Sequence, residues 1–284
     1  DDVQNAAEQD PLILGRLAFS SRDAGPTAPV GVIFTANPDG SGRTPLPSTL
    51  TQFAIEPAWS PDGTKIAFAA TQSPNDIYVA SADGTGQINL TNTKSIVERN
   101  PSWSATGKIA YERSPQIWTM NPDGTGQAQF TAITQSSPSA PAWSPDGTKL
   151  AFSSSGEIWV INADGTNERR LTMTASSDTD PAWSPDGTKI VFSKDNNIAV
   201  INADGTNEST IATSGIQPSW SPDGTKIAFR RSGIFTMDAN GANQVRIVAD
   251  NILFPQCCDT VYEHPAWQPV SQAPNTFNIT GRVT

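Results

Sequence analysis

Two carboxylates, Glu56 and Asp180, one histidine, His264, and an adjacent cysteine pair, Cys257 and Cys258, are the residues here with the most distinctive potential chemistry. Carboxylates facing each other across a sugar can run glycoside chemistry. That use needs a scaffold that brings residues 124 positions apart to one cavity. His264 is the only histidine, so a zinc site of usual composition would need Cys257 or Cys258 and a carboxylate beside it. The expectation is therefore no metal at this position. The two cysteines suit a vicinal disulfide that stiffens the loop from Phe254 to His264, with two reduced thiols as the alternative. Nine Asp-Gly pairs spread further carboxylates along the chain, among them Asp62-Gly63, Asp146-Gly147 and Asp186-Gly187. No segment follows the twelve-residue calcium loop, and Asp-Gly is a strong hairpin signal, so these pairs read as turns. No motif requires a cofactor, and a calcium ion bridging channel residues is the one candidate left open. The chain also lacks a Gly-x-Ser-x-Gly elbow, a Walker loop, a dinucleotide-binding loop and a zinc-finger spacing.

The elements that must position these residues follow from a repeated phrase. It runs Pro57-Ala-Trp59-Ser-Pro-Asp-Gly63-Thr-Lys-Ile-Ala-Phe68, and returns from Pro101 to Tyr111, Pro141 to Phe152, Pro181 to Phe192 and Pro218 to Phe229. A sixth copy opens at Pro265-Ala266-Trp267 and stops. Trp59, Trp103, Trp143, Trp183, Trp220 and Trp267 recur every 37 to 47 residues, close to the period of propeller blades. Their regular spacing assigns them to the structural core. In each copy the Trp is expected to start a short strand and Pro-Asp-Gly to force a tight turn. Lys-Ile-Ala-Phe then forms a buried strand, Ile158-Trp-Val160 and its counterparts a third, and segments such as Arg169-Arg-Leu171 a weaker outer strand. Four short antiparallel strands per repeat give an all-β propeller.

The chain begins out of phase. Arg16-Leu-Ala-Phe19 and Val32-Ile-Phe34 read as second and third strands with no Trp phrase before them. The orphan strand at Trp267, near the other end, would complete that blade, so the N- and C-terminal strands should pair and close a ring of six blades. Closure removes the open edges that invite aggregation.

Length and charge narrow the function classes. The 284 residues suffice for a core without disulfide support. The net charge of −10 opposes a sequence-independent grip on nucleic acid and gives no attraction to anionic lipid. No apolar run reaches membrane-spanning length, so neither nucleic acid nor membrane insertion is expected. Residues 1–13 read as a polar N-terminal tail, 14–269 as the propeller, and 270–284 as a linker and the possible opening strand of a following β module. Ile279 to Thr284 is similar to the opening strand of a carboxypeptidase-regulatory-like or immunoglobulin-like module.

The phrase Pro-Ala-Trp-Ser-Pro-Asp-Gly-Thr-Lys-Ile-Ala-Phe, followed by Ile-x-Val-x-x-Ala-Asp-Gly, resembles the repeat of TolB-like β-propellers over about residues 14 to 269. The resemblance implies a six-bladed propeller that contacts partner proteins, in a periplasmic, secreted or cell-surface setting. The additional N-terminal α/β domain of TolB has no match here. Similar repeats occur in the propellers of prolyl oligopeptidase-like and tricorn-like peptidases, beside a separate catalytic domain that this chain has no room for.

Ring geometry should gather the residue before each Pro at one channel mouth: Glu56, Asn100, Ala140, Asp180, Gln217 and His264. The loops between second and third strands should open on the same side. They bring Arg22, Asp23, Asn75, Asp76, Arg113, Glu157, Lys194, Asp195 and the pair Arg230 and Arg231. The expected function is a non-enzymatic protein-binding module of a larger or envelope-associated protein, with Glu56, Asn100, Arg113, Asp180, Gln217, Arg230, Arg231 and His264 as its binding residues. The alternatives are a carbohydrate-binding propeller and a polysaccharide lyase or hydrolase-like enzyme. Aromatic side chains accessible at the mouth would favour sugar, and a polar rim without them would favour protein.

Overall fold

Every Lys-Ile-Ala-Phe strand alternates bulky and small residues, and that alternation sets how the sheets stack. A computed structural model describes residues 15–22, 32–47, 54–71, 74–131, 137–173, 175–249 and 261–269. Cys257, Cys258, Asp23, the N-terminal tail and residues 270–284 lie outside the described residues. Twenty-four strands fall into six four-stranded antiparallel sheets. Blade 2 shows the pattern: Ala54–Trp59 innermost, then Lys65–Thr71, Asn75–Ser81 and the short outer strand Ile88–Asn89. In its second strand Ile66 and Phe68 pack toward Ala18 and Ile33 of blade 1. Ala67 and Ala69 face the other way, toward Ile109, Tyr111 and Met120 of blade 3. Side chains alternate across a strand, so one tetrapeptide supplies both faces of a sheet. The result is six hydrophobic cores, one in each seam between neighbouring blades.

The ring closes through the termini. The strand Val261–Trp267 pairs antiparallel with Leu17–Arg22, with Leu17 opposite Trp267 and Ala18 opposite Ala266. It becomes the inner strand of blade 1, whose other strands are Val32–Ala36 and Thr44–Pro45. Beyond it, Gln268 N donates to Arg16 O at 2.7 Å and Gln268 Nε2 to Gly63 O at 2.9 Å, which ties the last strand to blade 2 as well.

One expectation needs correction. The Trp of each repeat ends its strand instead of starting it: the inner strands are Ala54–Trp59, Glu98–Trp103, Ser139–Trp143, Asp178–Trp183, Ile216–Trp220 and Val261–Trp267. Proline inside the phrase suggests a strand boundary, since it cannot donate to a ladder. These strands accommodate it because each carries a register shift at that point.

The outer turns lock blade to blade. Gly241, in the turn before the outer strand of blade 6, has φ +88°, and a Cβ there would stand 2.0 Å from the Ile211 carbonyl oxygen of blade 5. Gly40 repeats the contact between blades 1 and 6, with a Cβ 2.2 Å from Ile247 O. Replacing Gly241 with Ala adds backbone strain and forces the two blades apart. The expected cost is about 2–4 kcal/mol, read as a lowered denaturant midpoint at unchanged slope.

Candidate functional site

The residue before each inner-strand proline adopts a left-handed backbone in all six blades. The φ angles are 57° at Glu56, 50° at Asn100, 48° at Ala140, 53° at Asp180, 55° at Gln217 and 54° at His264. Glycine would adopt this conformation freely, and none of the six is glycine. A single residue in this region costs of order 1–3 kcal/mol and persists where its surroundings over-determine it. Here the surroundings are the two ladders flanking each bulge. The bulges bend the strands and bring the six residues and their prolines around one small cavity of about 130 Å³ on the ring axis.

Hydrogen bonds link these side chains to one another and to the second strands behind them. Glu56 Oε2 accepts from Asn100 N at 2.7 Å, and Asn100 Nδ2 donates to Glu112 Oε2 at 3.0 Å. Asp180 Oδ2 accepts from Thr179 Oγ1 at 2.9 Å and Ser193 Oγ at 3.0 Å, while Ser193 Oγ accepts from Gln217 N at 2.9 Å. Gln217 and His264 form a reciprocal pair: Nε2 to Nε2 at 2.8 Å, and His264 N donating to Gln217 Oε1 at 3.1 Å. Burial raises the Asp180 carboxyl above its usual range, against the two hydroxyl donors. Among the described residues no Phe, Tyr or Trp side chain lines this cavity.

The basic residues of the second-to-third-strand region lie elsewhere. Arg113 stacks over Trp118 at 4.5 Å and approaches the buried Glu98 at 3.4 Å. Arg231 lies over Phe235 at 4.3 Å and donates to Thr213 O and Gln244 Oε1. Both guanidinium groups stack on an aromatic ring of the third strand of their own blade. Arg230 turns inward, 3.9 Å from Glu263 of the closing strand. Asp76 accepts from Asn89 Nδ2 at 2.7 Å and Thr93 N at 2.9 Å, Glu157 from Thr172 Oγ1 at 2.8 Å, and Asp195 from Ser177 N at 2.8 Å. Lys194 pairs with Glu208. Sequence reasoning missed Glu112, Thr179 and Ser193, which hold mouth residues in place, and Glu263, which pairs with Arg230. Counting cross-strand partners outward from each proline would have found Glu112 and Ser193, while Thr179 and Glu263 directly precede Asp180 and His264 on the inner strands.

At the opposite end of the axis the lining changes character. Trp59, Trp103, Trp143, Trp220 and Trp267 join Pro61, Pro145, Pro185, Pro222 and Pro269 around a wider cavity of about 330 Å³. Trp59, Trp183, Trp220 and Trp267 are buried, Trp103 and Trp143 only partly. Trp183 donates its indole N–H to Ala142 O of the preceding blade at 3.1 Å. The Asp-Gly turns ring this mouth, and their carboxylates cap the turns: Asp186 Oδ1 accepts from Ser184 Oγ at 2.6 Å and from Thr188 N at 3.0 Å. The same pattern holds Asp62, Asp146 and Asp223 below the usual carboxylate range, Asp146 at about 2. Among the described residues no group of three or more His, Cys, Asp or Glu side chains is arranged to hold a metal ion.

Residues 111–197 match the family model described as the TolB beta propeller domain. Among solved structures, TolB from Acinetobacter baumannii aligns with a TM-score of 0.73 at 21% identity, over 90% of this chain and 67% of that one. A chain of a nidogen/laminin complex aligns with a TM-score of 0.72 at 11% identity, over 89% of this chain and 99% of its own. Hydrazine synthase of Kuenenia stuttgartiensis gives 0.72 at 17% identity, over 90% and 47%. No curated protein matches the chain in sequence. At these identities the likeness shows the fold, a TolB-like six-bladed β-propeller, which in other proteins carries unrelated roles.

Proposed function

We propose that this propeller is a non-enzymatic protein-binding module of an envelope-associated, periplasmic or secreted protein, and that its polar axial mouth contacts the partner. The supporting observation is the ring of six left-handed residues. The fold fixes their backbone while leaving their side chains different in every blade: Glu56, Asn100, Ala140, Asp180, Gln217 and His264. A rigid frame that holds unlike polar groups at fixed positions loses little side-chain freedom on binding, which favours recognition. The described lining of this mouth is polar side chains, Ala140 and proline, without Phe, Tyr or Trp, which favours a protein surface over a stacked sugar. Glu263, which precedes His264 in the closing strand, pairs with Arg230 and adds a charged couple next to the ring.

Ala140 already occupies the left-handed position in blade 4, so alanine is tolerated by this backbone. A variant combining Asn100→Ala, Gln217→Ala and His264→Ala should therefore remain folded. Immobilised native domain is expected to retain a stoichiometric protein from envelope and secreted extracts of the source organism, and the triple variant to lose it. Equal retention by both would overturn the assignment of the mouth, and retention of glycans without protein would overturn the class of partner.

A further inference from the structure

The mouth opposite the polar ring combines apolar lining with a fixed negative charge, and we infer that it docks an extended, arginine- and proline-bearing segment of a partner protein. This surface is separate from the polar mouth, and the inference does not depend on the reading given to that mouth. Five tryptophans and five prolines, with Ala105 and Ser144, make up the lining, and Pro61, Pro145 and Pro185 are exposed. Aromatic-lined grooves take polyproline segments because such segments are already extended and lose little entropy on docking.

Charge selects among such segments. Asp62, Asp146, Asp186 and Asp223 stand at the rim, and their turns keep them ionised by donating hydrogen bonds to them. A second cleft of about 380 Å³ shares Pro185 and Trp220 with the funnel and is lined by Asp186, Asp223 and Lys189, two carboxylates against one ammonium. A chain leaving the axis there would pass between two carboxylates. Antiparallel connectivity places the outer turns on the same side, adding Asp39, Asp83, Asp123, Asp164 and Asp204, each also held below the usual carboxylate range. The lysines that follow the inner turns offset part of this field. Lys226 is committed to Asp238, and among the described residues none forms an ion pair with the four rim carboxylates. Arginine matches the remainder: its guanidinium fits carboxylates as a fork and packs on indole faces, and its alkyl stem covers apolar lining.

The test uses the full chain and a synthetic peptide of six Arg-Pro repeats, followed by intrinsic tryptophan fluorescence and by calorimetry. Saturable binding is expected at low salt, weakening as sodium chloride is raised. A variant carrying Asp62→Asn, Asp146→Asn, Asp186→Asn and Asp223→Asn keeps an oxygen acceptor in each turn and should bind at least tenfold more weakly. The separate substitution Trp143→Phe, at a partly exposed ring, should also weaken binding and serves if the fourfold variant is unstable. The Asn100, Gln217 and His264 alanine variant should bind the peptide as the native chain does. The inference is overturned by absent binding, by equal binding of a Glu-Pro repeat, by full affinity in the Asn variant, or by loss in the polar-mouth variant. Saturable binding of maltohexaose with none of the peptide would assign the funnel to carbohydrate instead.

Discussion

A chain shortened to residues 1–249 is expected to lose its cooperative thermal transition. The cut removes the strand Val261–Trp267, which is the inner strand of blade 1 and also packs beside the inner strands of blades 2 and 6. Leu17–Arg22 would become an open edge, and the seam formed by Leu17, Phe19, Ala36, Ala228, Ile234 and Val248 would lose the indole of Trp267. Unpaired edge strands with apolar faces invite aggregation. Trp267→Ala alone leaves the strand in place and should cost about 3–5 kcal/mol, the range for truncating a buried large aromatic. Calorimetry separates the cases: a broad, weak and aggregating transition for the shortened chain, and a sharp but lowered one for the point variant. A sharp transition at the native temperature in the shortened chain would refute closure as the source of cooperativity.

Replacement of Glu98 by Gln should stabilise the domain at pH 8 and do so much less at pH 5. Glu98 opens the inner strand of blade 3 with a side chain fully buried from solvent. Burial is the main force raising its carboxyl to about 7; Thr91 and Arg113 oppose the rise and the Asp76 charge adds to it. Tyr111 shares the pocket, and its hydroxyl is pushed up to about 12, chiefly by burial and then by the Glu98 charge. The folded-state value lies above the unfolded one, so the carboxyl's favourable contribution is complete below about 4.5 and is lost as pH rises through about 7. Gln carries no charge to desolvate at any pH. The shift caps the gain at pH 8 at ~3 kcal/mol, and the weakened Arg113 partnership takes back part of it. Denaturant unfolding across pH 5 to 8 reads the difference directly. A Gln variant less stable than the native chain at pH 8 would show that the Arg113 pair outweighs the desolvation.

The blade count and the closing strand were legible because both depend on periodic, bulky residues. Six Trp phrases and an unpartnered pair of strands at the start leave little freedom in how the sheets assemble. Likewise, one proline per blade at a common register gathers Glu56, Asn100, Asp180, Gln217 and His264 at one mouth. Their backbone conformation was not legible. A residue before proline is ordinarily extended, and only the paired ladders on either side force Glu56 or Gln217 into the left-handed region. Nor could the sequence show that Trp103 and Trp143 stay more open than Trp59 and Trp220, since that depends on how neighbouring blades splay. Arg231 was equally ambiguous. Its position on a loop suggests reach into solvent, whereas Phe235, two residues into the next strand, captures it.

The pairing of the first and last strands also sets the order in which the chain can assemble. Among the other described strand pairs, partners lie no more than 19 residues apart, as with Leu17 and Ala36, whereas Leu17 and Trp267 are separated by 250. For a flexible chain that difference adds about 2 kcal/mol of closure entropy. Hairpins can therefore form early and locally, but none can anchor blade 1 until the far end arrives. Successive blades stack around a curve, so each one that docks brings the ends nearer and shortens the effective loop. The contact with the largest sequence separation is thus made easier by every blade that docks before it.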